Sequence, residues 1–333
     1  MARKFAVGHV TRNVFRFLAG PWLSSDNIAR RITNLEARLL SGDNGTRPTN
    51  LEANMLSGDI GTRLTNLEAS LRRLELSQTI YLGDHEALTR LHTGHRIYVD
   101  TRDIGIASHL MLEGRWEPWI EQVLIPAIKP GMRFLDVGAN FGYYTLLGAE
   151  MVGATGQVYA FEANPLIFKK LVKSVAVNGF DERIALFNVA VHDESSAMEI
   201  IFRHDASGGG WTDTAKGARP AMNEVIPVRG EPLDTLLADV PKVDIIKIDV
   251  EGAEPKVLAG AKNLLARSKN LTIILEFDSR RLMAQTPEKY LQGFEAQGFS
   301  IAIAEPAGLT GKLSASECLA RLNGSVNYLM LTR

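Results

Sequence analysis

The 333-residue sequence predicts an α/β fold: a doubly wound, mostly parallel sheet preceded by a helical, coiled-coil repeat extension. Three observations predict it. From about residue 95, strand-like runs alternate with helical patterns. Those runs are near-continuously apolar, as strands covered on both faces must be. Before them lies an internal repeat with a period of 16 residues and a helix-start signal in each copy.

Residues 1–25 form a basic amphipathic segment. Arg3, Lys4, Arg12 and Arg16 are interspersed with Phe5, Val7, Val10, Phe15 and Trp22, and no acid occurs before Asp26. That composition suits either a short helix lying on anionic lipid or a helix packed on the protein. Residues 26–80 hold the repeat, TNLEARLLSGDNGTR, TNLEANMLSGDIGTR and TNLEASLRRLE. Each copy pairs Thr with Glu three residues on (Thr33/Glu36, Thr49/Glu52, Thr65/Glu68), the arrangement that satisfies free amides at a helix start. Units this short cannot bury an apolar face alone, so short coiled-coil pieces and a homo-oligomer are expected.

Residues 81–333 read as one domain. Its strands are RFLDV (133–137), QVYAF (157–161), RIALFNV (183–189), VDIIKIDV (243–250), LTIILEF (271–277) and NYLMLT (327–332). Helices are expected from about 141 and over 165–178, 254–267 and 287–297. An insert, 197–228, interrupts the alternation with two further strands, MEIIF and NEVIPV. A glycine-rich loop from Ser207 to Trp211 joins them and reads as a lid or substrate loop.

Bulk composition narrows the function. The net charge is −1, with 37 basic against 38 acidic residues, so no global field draws nucleic acid. The lone Cys318 excludes an intrachain disulfide and a Cys-rich zinc site. No apolar run reaches the roughly 18–20 residues that span a bilayer. A cytoplasmic protein is expected, with residues 1–22 as a potential peripheral contact at the inner face of the membrane.

The stretch FLDVGANFGYY, 134–144, ends a strand in Asp136 and then turns through Gly138, Asn140 and Gly142. In a doubly wound sheet ligands sit beyond the carboxyl ends of the strands, where strand order reverses. Asn140 replaces the middle glycine of a dinucleotide fingerprint, and no Gly-Lys-Ser/Thr follows, so pyrophosphate is disfavoured. Asp136 instead suits a ligand with a positive centre. Glu162, 26 residues later at the next strand end, is placed to accept ribose hydroxyls.

Together FLDVGANFGYYTLLGA, VYAFEANP and IIKIDVEGAEPKVLAGA resemble the successive motifs of FkbM-type methyltransferases, a class I group that uses S-adenosylmethionine. VDTRDIG and LEGRWEP resemble the segment that precedes them. The resemblance spans about 97–278 and implies a Rossmann-like, seven-stranded sheet. It also implies that Asp136, Gly138, Asn140 and Gly142 line the methionine side, Glu162 the ribose, and Asn188, Val189 and Ala190 the adenine edge. Ala139, Tyr144, Asn164 and Asp249, in the same motifs, complete the expected cofactor lining. O-methylation of a sugar hydroxyl in a glycan or glycolipid is the activity implied, with a polyketide or other small natural product as alternative acceptor. A non-catalytic, cofactor-binding scaffold is the rival of a different class.

Methyl transfer to a hydroxyl needs alignment and somewhere for the proton to go. KIDVEGAE, 247–254, offers Asp249 as base or orienting group and Glu251 as binder of the acceptor hydroxyl. Strand alternation would put both on one side. Glu276 ends the next strand and is a further candidate base. His204, beside the glycine-rich insert, is another. Several carboxylates on one cleft also suit Mg²⁺, though the pattern does not require it and no metal ligands are assigned. His92 and His95 lack the carboxylate of a metalloprotease helix, and Trp211 could stack on a sugar ring.

Overall fold

A computed structural model of the chain describes residues 79–213, 224–282 and 286–333. The basic segment, all but the last residues of the repeat region and the 214–223 part of the insert lie outside the described residues. The first described elements form an antiparallel sheet of β1 (Ile80–Gly83), β2 (Glu86–Arg90) and β3 (Arg96–Asp100). Two helices follow, α1 (Ile106–Glu113) and α2 (Pro118–Ala127).

Then the strand–helix alternation begins: β4 (Arg133–Val137), α3 (Tyr143–Val152), β5 (Gln157–Phe161), α4 (Pro165–Val177) and β6 (Ile184–Phe187). Asn164 caps α4 by accepting the Leu166 amide at 2.9 Å, and Pro165 occupies the first turn, where no amide is needed. β7 (Ala190–Val191) precedes the insert, which supplies most of β8 (Ser196–Arg203), β9 (Ala206–Asp213) and β10 (Glu224–Glu231). These form a second sheet in the order β7-β10-β8-β9. The glycine-rich stretch expected as a loop is therefore strand β9, paired antiparallel to β8. Backbone ladder bonds override the weak strand preference of glycine there.

After α5 (Leu233–Leu236) the chain returns through β11 (Ile245–Ile248), α6 (Glu254–Ala259), α7 (Lys262–Arg267) and β12 (Thr272–Phe277). A 3₁₀ turn (Ser279–Arg281), α8 (Pro287–Ala296), β13 (Ser300–Glu305), β14 (Gly308–Leu309), α9 (Ala315–Leu322) and β15 (Asn327–Thr332) complete it. The single helix expected over 254–267 is broken at Gly260. A Cβ at Gly260 would stand 2.1 Å from the His192 carbonyl oxygen, so the backbones touch and the helix turns away.

The central sheet runs β14-β13-β15-β12-β11-β4-β5-β6, parallel except for β15 and the two-residue β14 that adds an eighth strand. Successive residues face opposite sides. Phe134, Val158, Ile245 and Ile274 pack with α2, α3 and α4, while Leu135, Val137, Ile246, Ile248 and Leu275 pack with α5 to α9. Each fully buried side chain of this kind contributes roughly 1.5–3 kcal/mol. The chain progresses outward from β4 to β6, then crosses back to β11 on the other side of β4. The crevice between β4 and β11 is the switch point. Among the described residues no helix is long and apolar enough to cross a membrane.

Candidate active site

The turn after β4 is held in left-handed geometry at three positions: Gly138 (φ +85°), Asn140 (φ +50°) and Gly142 (φ +100°). A side chain at Gly138 would meet the Asp249 carbonyl oxygen at 1.9 Å, and one at Gly142 would meet Leu171 at 2.5 Å. Glycine is thus required by the protein's own neighbours, which bring the β4 and β11 turns together under the crevice. Asn140 adopts the conformation with its side-chain oxygen accepting the Phe141 amide at 2.8 Å.

Glu162 is the anchor of the second turn. Its carboxylate accepts the Asn140 amide at 2.9 Å and the Asn164 amide at 2.7 Å, one on each oxygen. Burial pushes its proton affinity up, to a pKa of about 7, against the pull of those two amides. Each oxygen keeps a lone pair for a hydroxyl donor. Asn188 supports the turn from behind, donating to the carbonyls of Glu162 (2.8 Å) and Ala163 (3.1 Å).

A buried charge stands at the crevice floor. Lys247, in the middle of β11, is 2% exposed and lies beside Asp136 in register. Burial alone would lower its proton affinity; the carboxylates of Asp249 and Asp136 outweigh that and hold it above the ordinary lysine value. Its ammonium donates to Asp249 Oδ2 at 2.8 Å and sits 4.8 Å from the Tyr144 ring centre. The Tyr328 hydroxyl, from β15, donates to that same oxygen at 2.8 Å. Asp136 Oδ2 accepts the Thr145 hydroxyl at 2.6 Å, while Oδ1 is buried with no hydrogen-bond partner.

β11 ends at Ile248, so strand alternation does not reach Glu251. That residue faces the crevice because it takes a left-handed conformation, φ +58°, before Gly252. Glu254, not Glu251, ties up the turn, accepting the amides of Val250 (3.1 Å) and Gly252 (3.0 Å). One carboxylate oxygen each of Asp249, Glu251 and Glu276 lies within 4.8 Å of the others, close enough to share one divalent cation. Arg281 supplies countercharge: its Nη1 donates to Glu251 at 2.5 Å and lies 3.9 Å from Glu276. Burial, and then the neighbouring Asp249 and Glu251, push Glu276 up to about 9.

These parts line one cavity of about 340 Å³, in the range of small-ligand sites. Of the residues singled out in the sequence, Gly138, Ala139, Asn140, Tyr144, Glu162, Val189, Ala190, Asp249, Glu251 and Glu276 line it. Asp136, Gly142, Asn164 and Asn188 stand behind the lining. His204 is not brought to it: its ring bonds Glu224, the first residue of β10, at 2.5 Å. Sequence reasoning missed Lys247, Tyr328, Trp116 and Glu117, all on the lining. A lysine inside the apolar run IIKI was the one legible signal among them.

The methyltransferase FkbM domain matches residues 136–301, from the end of β4 into β13. The 31-O-demethyl-FK506 methyltransferase FkbM of Streptomyces tacrolimicus is 30% identical over 41% of this chain and 62% of its own length. A protein-L-isoaspartate O-methyltransferase 1 of Arabidopsis thaliana is 37% identical over 21% of this chain and 31% of its own. The chain therefore spans less than two thirds of these curated relatives. A solved FkbM methyltransferase from Methylobacillus flagellatus has a TM-score of 0.39 at 12% identity, covering 68% of this chain and 52% of that one. With the matched domain containing the glycine turn, Glu162 and the β11–β12 carboxylates, the chain belongs to the FkbM-type S-adenosylmethionine-dependent methyltransferases.

Proposed function

We propose that the chain is an O-methyltransferase that places a methyl group on a hydroxyl of a sugar, in a glycan or glycolipid. The supporting observation is a single cavity that joins a nucleoside cradle to a cluster of carboxylates. S-Adenosylmethionine, when bound, supplies an electrophilic methyl group on a sulfonium.

The residues fit that group. Glu162 would hold the ribose hydroxyls, the apolar Val189–Ala190 edge the base, and the unpartnered Asp136 Oδ1 favours a cationic end. On the acceptor side Asp249 acts as base or orienting group and Glu251 binds the acceptor hydroxyl. Glu276, its proton affinity raised to about 9, would offer the acceptor a hydrogen-bond donor. Trp116 offers a ring face for a sugar's C–H edge. Beside Glu276, four lining carboxyl groups (Glu117, Glu162, Asp249 and Glu251) face one lining ammonium, which disfavours a phosphate or carboxylate near the reacting hydroxyl. A small natural product as acceptor is a second reading, favoured by the relative that acts on 31-O-demethyl-FK506.

Calorimetry with S-adenosylhomocysteine, followed by methyl release against a panel of neutral sugars and small hydroxylated products, tests this. Asp249→Asn is expected to cut turnover by about 10²-fold or more while leaving homocysteine-product affinity unchanged. Tight binding without transfer to any acceptor would instead support a scaffold.

A further inference from the structure

Two groups at the crevice compete for the role of proton acceptor, and their surroundings differ. Asp249 has both of its close hydrogen bonds on one oxygen, Oδ2, from the Lys247 ammonium and the Tyr328 hydroxyl. A carboxylate gripped in this way by two donors on one oxygen is fixed in place.

Glu117 is held differently. It precedes α2, lines the same cavity and sits in a left-handed conformation, φ +42° and ψ +68°. For a non-glycine residue that conformation costs about 1–3 kcal/mol and persists only where the surroundings enforce it. Pro118 fixes the first turn of α2 immediately after it, and the Tyr144 hydroxyl lies 3.4 Å from Oε2. The charged and titratable groups around Glu117 are Tyr144 from α3, Lys247 and Asp249 from the β11 edge and Tyr328 from β15. No lysine or arginine forms an ion pair with it among the described residues.

We propose that Glu117 is the residue that takes the acceptor's proton, with Asp249 as a positioning residue locked by Lys247 and Tyr328. This rests on the methyl-transfer reading above. As the acceptor oxygen bonds the methyl carbon, the carbon–sulfur pair passes to sulfur and the hydroxyl proton passes to a Glu117 carboxylate oxygen. The products are the methyl ether, the neutral thioether and a Glu117 carboxylic acid, which returns its proton to solvent when the cavity opens. Burial and then the nearby Asp249 charge raise Glu117 to a pKa of about 7, so the base is regenerated near neutrality. Glu117 lies 19 residues before the matched domain and Tyr328 lies beyond its end.

The test uses the full chain. Glu117→Gln should lower kcat by about 10²–10⁴-fold, keep S-adenosylhomocysteine affinity, and abolish the rise of kcat through about pH 7. Glu117→Asp should recover part of the rate. Isotope-edited infrared difference spectroscopy of the S-adenosylhomocysteine complex should show a carboxylic-acid band that titrates near neutrality, is lost in Glu117→Gln and is kept in Glu162→Gln. A Glu117→Gln enzyme within about threefold of wild type, one that loses product affinity in step with turnover, or a band that fails to titrate there overturns the assignment. The infrared readout needs no acceptor, so it separates failure of this assignment from failure of the methyl-transfer reading, which a wild-type protein blind to S-adenosylhomocysteine would reveal.

Discussion

At the scale of single residues, the acids at strand ends were the readable part of the site. Asp136 and Glu162 stand out because a carboxylate after an apolar run has few structural reasons to be there. Lys247 hid in plain view, since its neighbours made KID look like the end of a buried strand. Glu117 lay inside the LEGRWEP segment yet was given no role, because a left-handed glutamate is a product of packing rather than of local sequence. Two substitutions probe this scale. Glu162→Ala is expected to weaken S-adenosylhomocysteine binding at least tenfold in calorimetry, by removing both the proposed ribose acceptors and the link between the Asn140 and Asn164 amides. Gly138→Ala is expected to lose binding and also stability, by about 1–3 kcal/mol or more in chemical denaturation, because the new methyl must displace the Asp249 backbone.

At the scale of elements, the expected strands and helices of the alternating region lie within a few residues of those observed, β4, β5 and β15 in full, but β13 and α9 were not expected. What local pattern could not supply was contact with distant backbone. The 254–267 segment has uninterrupted helical character apart from Gly260, and the break there is imposed by the carbonyl of His192, more than sixty residues earlier. Gly260→Ala improves local helix propensity yet is expected to destabilise the protein by roughly 1–3 kcal/mol, with a lower melting temperature as the readout. An unchanged or higher melting temperature would show that the His192 turn yields freely. The β9 strand was missed for the related reason that glycine-rich sequence has no intrinsic preference for a ladder, and β8 supplies one.

At the scale of the whole molecule, the fold class followed from the alternation of elements, whereas the small β1–β3 sheet did not, its strands being four or five residues long. Charge distribution sets a whole-molecule property too. Glu117 and Glu162 at about 7 and Glu276 at about 9 are all raised above the ordinary glutamate value. Groups raised in the folded state bind more protons there than when unfolded, so their stabilising share is complete below about pH 4.5 and is lost as pH climbs through about 7 and then 9. Glu121 runs the other way: hydrogen bonds from His92, Tyr143 and Arg115 overcome burial and hold it at about 2, so its share is complete above about pH 4.5 and is lost as pH falls through about 2. The ligand-free protein is therefore expected to melt at lower temperature as pH rises from about 5 to 9. Glu162→Gln should flatten the slope around pH 7; a wild-type profile that climbs over this window would contradict the burial of these carboxyls.

The position of β15 between β12 and β13 has a consequence for biosynthesis. Each of its neighbours exposes an unpaired ladder until residues 327–332 arrive, and Tyr328 arrives with them. A ribosome-bound chain that has not yet released this segment from the exit tunnel carries an open slot in the middle of its sheet and lacks one wall of its catalytic chamber.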